Sequence, residues 1–288
     1  MENKFLICHR GALGDFVLTW PALHALRNFL PDFNFLGLGR PEYMRLAKKL
    51  GLVDSIYDVE ASGFIDFFSG KALPKEMGVP IGAVLWLAQG RAVEDLLKMS
   101  ASLPVILVPP FPSKRMHVAL YHYLAIKSHF PIKESYPLSP HFQLDVKKEK
   151  YALIHPGSGS FSKNFHLQFY LEVAEILRQS DYADVRFILG PAEDEKIAKG
   201  LRREKIHRPR DAEALAEMLA GASLYIGNDS GVSHLSGVLG TSSIVLFKTT
   251  DPEVWGVLGR RVINIKSGNE GSALRKIQES IQLPLLFY

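Results

Sequence analysis

The chain has 288 residues, of which 47% are hydrophobic and 22% charged, and its formal net charge is +4. This length suits two α/β domains better than one, and the composition is that of a globular protein rather than a disordered or fibrous one. The excess of 34 Lys and Arg over 30 Asp and Glu is too small for a nucleic-acid-binding protein, although it suits an anionic ligand or membrane surface.

The first half of the chain alternates apolar runs with stretches of helical periodicity. The pattern predicts strands at 4–8, 34–38, 56–59, 83–87 and 105–108, and helices at 15–30, 41–50, 92–100 and 113–128. A stretch rich in proline and polar residues at 131–150 then has the composition of a linker.

The second half repeats this alternation. Strands are predicted at 151–155, 185–189, 224–227 and 243–247, and helices at 167–179, 192–203, 212–219, 232–239 and 272–281. This alternation predicts two α/β domains with doubly wound parallel sheets, at 1–148 and 149–288. The last helix could pack back on the first domain. Ligands of such sheets bind beyond the carboxyl ends of the strands, so we expect a site in the cleft between the domains.

The only cysteine, Cys8, lies in an apolar run, which excludes an intrachain disulfide and indicates a buried thiol in a reducing compartment. The N-terminus lacks the pattern of a signal peptide, and no apolar run approaches the roughly 18 residues of a membrane span. We therefore expect a cytoplasmic protein.

A turn between a predicted strand and a predicted helix spans residues 227–234, which read GNDSGVSH. Unpaired N–H groups and the dipole at a helix start favour an anion. Asp229 lies at the edge of this pocket, where its carboxylate could either cap the helix or hold sugar hydroxyls.

A second turn, at residues 9–15, reads HRGALGD and follows the first predicted strand. Its glycines permit a tight loop, but no G-x-G-x-x-G dinucleotide fingerprint is present. Asp15 opens the next helix, where a carboxylate is stabilised as the anion and can accept a proton. A simple N-cap is the alternative role for Asp15.

Two further turns carry polar groups in the second half. Residues 155–165 read HPGSGSFSKNF, in which small residues let backbone N–H groups approach a phosphate while Lys163 supplies a charge. The Walker pattern is absent, and a solvated loop is the alternative. Residues 190–193 read GPAE, where Glu193 could either contact ribose hydroxyls or cap a helix.

Basic residues of the first half are candidates for binding an acidic acceptor. Arg40 begins one cationic cluster, and Lys114 and Arg115 open another predicted helix. Solvated helix faces are the alternative. The aromatic run at 64–68, which reads FIDFF, indicates buried core more than membrane contact.

Taken together, these motifs resemble glycosyltransferase family 9, the ADP-heptose:lipopolysaccharide heptosyltransferases and their relatives. The resemblance rests on Gly14-Asp15 with the PAL sequence at 21–23, on the loop from 155 to Lys163, on GPAE at 190–193, and on the DSG sequence at 229–231 with His234. It implies a GT-B fold, two Rossmann-like domains that face a cleft. The C-terminal domain would hold the nucleotide-sugar and the N-terminal domain the acceptor.

The resemblance also implies roles for individual residues. Asp15 looks like the catalytic base that removes a proton from the acceptor hydroxyl. Lys163 looks like the group that stabilises the leaving diphosphate. The donor-binding residues implied are Ser158, Gly159, Lys163, Glu193, Asp229, Ser230, Gly231 and His234.

The reaction implied is inverting transfer of a heptose-type sugar from an ADP-sugar to a lipopolysaccharide core-type acceptor. Neither a metal ion nor another cofactor is expected, because Lys163 and a helix start would neutralise the diphosphate and no Asp-x-Asp pair follows a strand. The partners expected are a nucleotide-sugar, a glycolipid or oligosaccharide acceptor and the inner-membrane surface, to which the enzyme would be peripheral.

Some positions depart from the family pattern. Asn164-Phe165 replaces an Arg-Trp or His-Trp pair, and Lys248 begins a loop that usually starts Gly-Pro-Thr. These changes leave open which particular sugars the enzyme would use. Two alternative functions therefore stay open: another sugar-nucleotide enzyme, either a UDP- or GDP-sugar transferase or an epimerase, and a non-catalytic nucleotide- or sugar-binding module.

Overall fold

The computed structural model describes residues 3–133, 141–180, 182–190 and 195–282. The chain divides into two compact units, Met1–Pro137 and Leu138–Tyr288. Each unit contains one β-sheet in which every neighbouring pair of strands is parallel.

The sheet of unit 1 has the strand order β3-β2-β1-β4-β5. The central strands are nearly continuous apolar runs, as expected where helices cover both faces of a parallel sheet. The strands are β1 (Lys4–His9), β2 (Asn34–Gly39), β3 (Ser55–Asp58), β4 (Gly82–Trp86) and β5 (Val105–Val108).

Five α-helices and a short 3₁₀ turn (Ser62–Phe64) surround this sheet. The aromatic run at 64–68 contributes to the core, since Phe64 and Phe67 are buried, while Ile65 is exposed. The helices are α1 (Leu13–Phe29), α2 (Pro41–Lys49), α3 (Ile65–Phe68), α4 (Arg91–Lys98) and α5 (Val118–Lys127).

The sheet of unit 2 has the order β11-β10-β9-β6-β7-β8. Its strands are β6 (Tyr151–His155), β7 (Asp184–Ile188), β8 (Lys205–His207), β9 (Leu224–Asn228), β10 (Ser243–Phe247) and β11 (Val262–Lys266). The helices are α6 (Leu167–Gln179), α7 (Glu195–Gly200), α8 (Ala212–Gly221), α9 (Gly231–Val238), α10 (Pro252–Trp255) and α11 (Glu270–Ile281), with a 3₁₀ turn at Phe161–Lys163.

The structure corrects several predicted elements. Helix α5 begins at Val118 rather than at residue 113, because the His117 side chain caps it by accepting a hydrogen bond from the N–H of Ala119. The predicted helix 192–203 ends at Gly200, and its residues 192–194 lie outside the described residues. Strands β8 and β11 and helices α3 and α10 were not predicted from the sequence.

Two histidine side chains are buried in unit 1, one at the end of β1 and one in α5. His9 and His122 are 6% and 2% exposed, and Trp86 Nε1 donates to His122 Nδ1 at 3.2 Å. Burial lowers the pKa of His122 to about 4, and burial together with the nearby His122 lowers that of His9 to about 3. Both imidazoles are therefore neutral at pH 7. Cys8 is fully buried as expected, and burial raises the pKa of its thiol to about 12.

No helix within the described ranges combines the length and apolar character needed to cross a bilayer.

The buried His122 makes the stability of unit 1 depend on pH. Its pKa in the folded chain lies below the ordinary value of 6.5, so the unfolded chain binds the proton first. The stabilisation is complete above pH 6.5 and is lost as the pH falls toward 4. In the wild type, the free energy of unfolding should fall by roughly 3 kcal/mol between pH 6.5 and pH 4 through protonation of His122. We predict that this fall is absent in His122→Gln, whose amide oxygen can still accept from Trp86.

Urea denaturation at a series of pH values measures this effect. The matched variant His129→Gln removes an imidazole at an exposed position and should keep the wild-type pH dependence. The same pH dependence in the His122 variant and in the wild type would contradict the prediction.

Candidate active site

Polar side chains of unit 2 gather where β6, β9 and β10 end. Strand β9 lies between the other two, so the loops that follow these three strands meet at one edge of the sheet. Asn228 is the last residue of β9 and Asp229 follows it. Both are buried, at 0% and 4% exposure, although both carry polar side chains.

Asn228 holds the loop that follows β6. Its Nδ2 donates to the carbonyl oxygen of Pro156 at 2.9 Å, and its Oδ1 accepts from the Tyr170 hydroxyl at 2.8 Å. Asn228 Nδ2 also lies 3.2 Å from Asn164 Oδ1, which accepts from the Ser158 hydroxyl at 2.7 Å. These contacts fix both ends of the loop that carries Lys163.

The carboxylate of Asp229 is the centre of the site. Lys163 Nζ lies 2.7 Å from Asp229 Oδ2, and the Thr250 hydroxyl donates to the same oxygen at 2.7 Å. His234 Nε2 lies 3.7 Å from Asp229 Oδ1, which is an electrostatic contact beyond ordinary hydrogen-bond length. Three chain segments thus converge on one buried carboxylate.

These contacts decide the charge of Asp229. Burial alone would raise the pKa of its carboxyl, but the His234, Lys163 and Thr250 side chains outweigh burial and lower the pKa to about 2. Asp229 is therefore ionised throughout the physiological range, and it accepts hydrogen bonds without acting as a proton acceptor.

Helix α9 begins beside this carboxylate, and its cap is Ser230 rather than Asp229. The Ser230 hydroxyl accepts from the N–H of Ser233 at 3.4 Å, while Gly231 is the first helical residue. The structure therefore leaves Asp229 to pair with Lys163. The first-turn N–H groups of α9 point toward the same edge of the sheet, where they favour an anion.

The glycine and serine of the loop after β6 differ in their surroundings. The Ser158 hydroxyl donates within the loop, to the Ser160 carbonyl oxygen as well as to Asn164. Gly159 is exposed, and a Cβ built on it would meet no protein atom within 4 Å. The protein interior thus places no steric demand for glycine at this position.

Lys248 and the pair Asn164-Phe165, the two departures from the family pattern, are in contact with each other. Its Nζ donates to the Asn164 carbonyl oxygen at 2.8 Å and lies 5.4 Å from the centre of the Phe165 ring. Phe165 is itself buried and stacks on Phe169 with ring centres 4.6 Å apart. The two departures are therefore one structural unit that joins the loops after β6 and β10.

In unit 1, Asp15 lies in the first turn of α1, at the carboxyl end of β1, and is partly exposed. The helix N-cap is Ala12, so Asp15 is not the cap residue. A Cβ built on Gly11 would lie 2.9 Å from His9 Cε1 and 3.3 Å from Asp15 Oδ2. Glycine at this position therefore lets the loop pass close to both side chains.

A cavity of about 900 Å³ opens beside this turn in unit 1, at the carboxyl ends of β1, β4 and β5. Arg10 and Gly11 line one side, and Trp86 and Arg91 line another. The Arg10 guanidinium lies 4.9 Å from the centre of the Phe68 ring. Arg10 was not among the candidate site residues predicted from the sequence, although it lines this cavity.

The basic residues expected at the acceptor side are all exposed. Arg40 precedes α2 at the end of β2, and Lys114 and Arg115 lie in the loop between β5 and α5 rather than in a helix. All three follow carboxyl ends of the same sheet as Asp15. Glu193 lies outside the described residues.

Within the described residues, no group of three or more His, Cys, Asp and Glu side chains is placed to hold a metal ion. Sequence reasoning did not identify Thr250 or Asn228 as functional. The polarity of their segments was the only signal, because their partners lie 21 or more residues away along the chain.

Each unit is a parallel α/β domain with polar groups at the carboxyl ends of its strands, which is where ligands of such sheets bind. Residues 114–283, more than half of the chain, match the family described as Glycosyltransferase family 9 (heptosyltransferase). The chain belongs to this family, which confirms the resemblance. The predicted GT-B fold is also confirmed.

A relative in sequence is the lipopolysaccharide heptosyltransferase 1 of Escherichia coli O18:K1:H7, which is 26% identical over 148 residues. The match covers 48% of this chain and 44% of the relative, so the chain spans less than half the length of that relative.

Solved structures share the fold over nearly the full chain. The glycosyl transferase family 9 protein from Veillonella parvula has a TM-score of 0.78 at 14% identity and covers 99% of this chain and 97% of its own. The E. coli heptosyltransferase WaaC, solved with ADP, has a TM-score of 0.72 at 16% identity and covers 96% and 99%.

The ion pair with Lys163 predicts how the pKa of Asp229 changes when the lysine is removed. We expect Lys163→Met to raise the pKa of the Asp229 carboxyl from about 2 to about 3 or higher, because a cation within hydrogen-bond distance lowers a carboxyl pKa by roughly 1–3 units. Carbon-detected NMR titration of the carboxyl group measures this change.

The matched control is Lys205→Met. Lys205 pairs with Asp184 at 2.7 Å on another part of unit 2, so its removal should leave the Asp229 pKa unchanged. An Asp229 pKa that stays at about 2 without Lys163 would show that the other contacts suffice.

Proposed function

We propose that this chain is an inverting, metal-independent glycosyltransferase that moves a heptose-type sugar from an ADP-sugar to a lipopolysaccharide core-type acceptor. The observation that carries the proposal is the Lys163–Asp229–Thr250 cluster at the start of α9, in a chain that belongs to family 9.

The donor would bind at the carboxyl edge of unit 2. Lys163 and the first turn of α9 supply positive potential for a diphosphate, and exposed Gly159 leaves room for it beside the loop. Asp229 has one oxygen engaged by Lys163 and Thr250, which leaves Oδ1 to accept from a sugar hydroxyl. His234 lies beside that oxygen, and we place Ser158, Ser230 and Gly231 around the phosphates.

The acceptor would bind to unit 1, on the cavity beside the first turn of α1. Asp15 supplies the carboxylate, and Arg10, Arg40, Lys114 and Arg115 supply cations at the same edge of the sheet. An acidic glycolipid or oligosaccharide matches this charge, and we infer that the enzyme works in the cytoplasm, peripheral to the inner membrane.

The reaction is a single displacement. Asp15 takes the proton of the acceptor hydroxyl, whose oxygen forms a bond to the anomeric carbon of the sugar as the bond from that carbon to the diphosphate oxygen breaks. Lys163 and the N–H groups of α9 neutralise the charge that develops on the leaving diphosphate. Attack opposite the leaving group inverts the anomeric configuration.

Calorimetric titration with ADP, UDP and GDP, with EDTA and then with magnesium, tests the donor side. We expect ADP to bind preferentially and equally well under both conditions. Lys163→Ala should weaken ADP binding about tenfold or more, since a charged phosphate contact is lost. Lys205→Ala is the control that keeps wild-type affinity.

A preference for UDP or GDP would contradict the proposal of an ADP-sugar donor and would indicate another sugar nucleotide. Magnesium-dependent binding would contradict metal independence. Absence of binding to all three nucleotides would favour a module without transferase activity.

The proposed base is tested by Asp15→Asn, which keeps the shape of the side chain but cannot take a proton at neutral pH. We predict that transfer from ADP-heptose falls by about 10²–10⁴-fold while ADP affinity changes little. The control, Asp66→Asn, removes an exposed carboxylate from the first turn of α3 in the same unit and should retain activity. Undiminished transfer by the Asp15 variant would remove this residue from its proposed role.

A further inference from the structure

A cavity of about 620 Å³ in unit 2 lies at the amino ends of the strands of the six-stranded sheet. Segment 141–148 before β6, the ends of α8 and α9, and the residues just before β11 form its walls. The Lys163–Asp229 cluster lies at the carboxyl ends of the same strands. Strands of five residues therefore separate the two places by roughly 15 Å.

Four basic side chains line this cavity, and they come from separate parts of the chain: His141, Lys148, Arg260 and Arg261. Asp145 is the one carboxylate among the lining residues. Across the described ranges, no acidic side chain forms an ion pair with any of these four basic groups. Lys148 Nζ donates instead to the Ala222 carbonyl oxygen at 3.0 Å.

Two of these basic groups, Lys148 and His141, have lowered pKa values. Burial lowers the pKa of Lys148, and the charge of Arg261 lowers it further. Burial also lowers the pKa of His141, and Arg260, Arg261 and Lys148 each add to that effect. The carbonyl ends of α8 and α9 attract cations.

The fold holds this arrangement in place. Gly240 has a φ of +73°, and a Cβ built on it would lie 2.2 Å from His141 Cε1, so the imidazole lies directly against the end of α9. The neighbouring Phe142 N–H donates to the Val238 carbonyl oxygen at 2.9 Å. The Arg261 carbonyl oxygen accepts from the Ser243 N–H at 2.8 Å, which ties its backbone to β10.

We propose that this cavity binds a phosphate group at a site separate from that of the nucleotide-sugar. Two guanidinium groups offer forked donors that match phosphate oxygens, and the Lys148 ammonium and His141 imidazole that line the same cavity add further donors. A bound anion offsets the mutual repulsion of Lys148, Arg260 and Arg261, which favours an anion here over an empty cavity. The phosphate belongs either to a soluble compound or to the headgroup of an anionic phospholipid.

Titration with inorganic pyrophosphate tests the site, and it is performed in the Lys163→Met background so that binding at the candidate active site is weakened. We expect Arg260→Gln combined with Arg261→Gln to weaken pyrophosphate binding about tenfold or more. The matched control combines Arg202→Gln with Arg203→Gln, which removes the same charge from exposed positions elsewhere in unit 2. This control should keep the affinity.

The His141 ring reports on the site independently of affinity. Its pKa, followed by NMR, should rise when pyrophosphate is added, because the anion offsets Arg260, Arg261 and Lys148. Equal pyrophosphate affinity in the two double variants, or a His141 pKa that does not respond to pyrophosphate, would overturn the proposal.

Sedimentation with vesicles distinguishes the two sources of phosphate. A lipid headgroup is identified if the protein binds phosphatidylglycerol vesicles but not phosphatidylcholine vesicles. This binding should be lost in the Arg260 and Arg261 double variant and kept in the Arg202 and Arg203 control. Pyrophosphate binding with no such vesicle binding would identify a soluble phosphate compound. Neither result depends on glycosyl transfer, so the proposed reaction and this site can fail separately.

Discussion

The buried carboxylate of Asp229 is the constraint on which the candidate active site depends. An ionised carboxylate that is 4% exposed is stable only with charged or hydrogen-bonding partners. Lys163 follows β6 and Thr250 follows β10, the two strands that flank β9. The ion pair and hydrogen bond to Asp229 therefore connect the loops of three adjacent strands. Asn228 adds neutral hydrogen bonds to the loop after β6.

The central strands could be predicted from the sequence because a parallel sheet covered on both faces requires continuous apolar runs. Strands β5, β6 and β10 were predicted with the bounds that the structure shows. The edge strands gave no comparable signal, since β8 has only three residues and β11 is partly exposed along its length. Their place depends on neighbouring strands rather than on their own composition.

The candidate site could be predicted only in part. Its turns were identified because glycine and small polar residues follow apolar runs. The pairing of Lys163 with Asp229 could not be derived from spacing, because 66 residues separate them and the strand order brings them together. Thr250 lies in a segment that departs from the family pattern, so the resemblance gave no reason to select it. Ser230 caps α9, and Asp229, which the sequence offered as a cap, pairs with Lys163 instead.

The two aspartates at helix starts differ in what their surroundings allow. A carboxyl group with a pKa of about 2 is a weak proton acceptor, so Asp229 can hold charge and orient Lys163 but is poorly suited to be a general base. Asp15 is partly exposed in the first turn of α1, beside a glycine whose missing side chain keeps the carboxylate accessible. In the proposed reaction a permanent anion organises the donor site, and a different carboxylate exchanges a proton with the acceptor. The lowered pKa of Asp229 is therefore the physical reason why the proposed base is Asp15 in unit 1 rather than the carboxylate at the proposed donor site in unit 2.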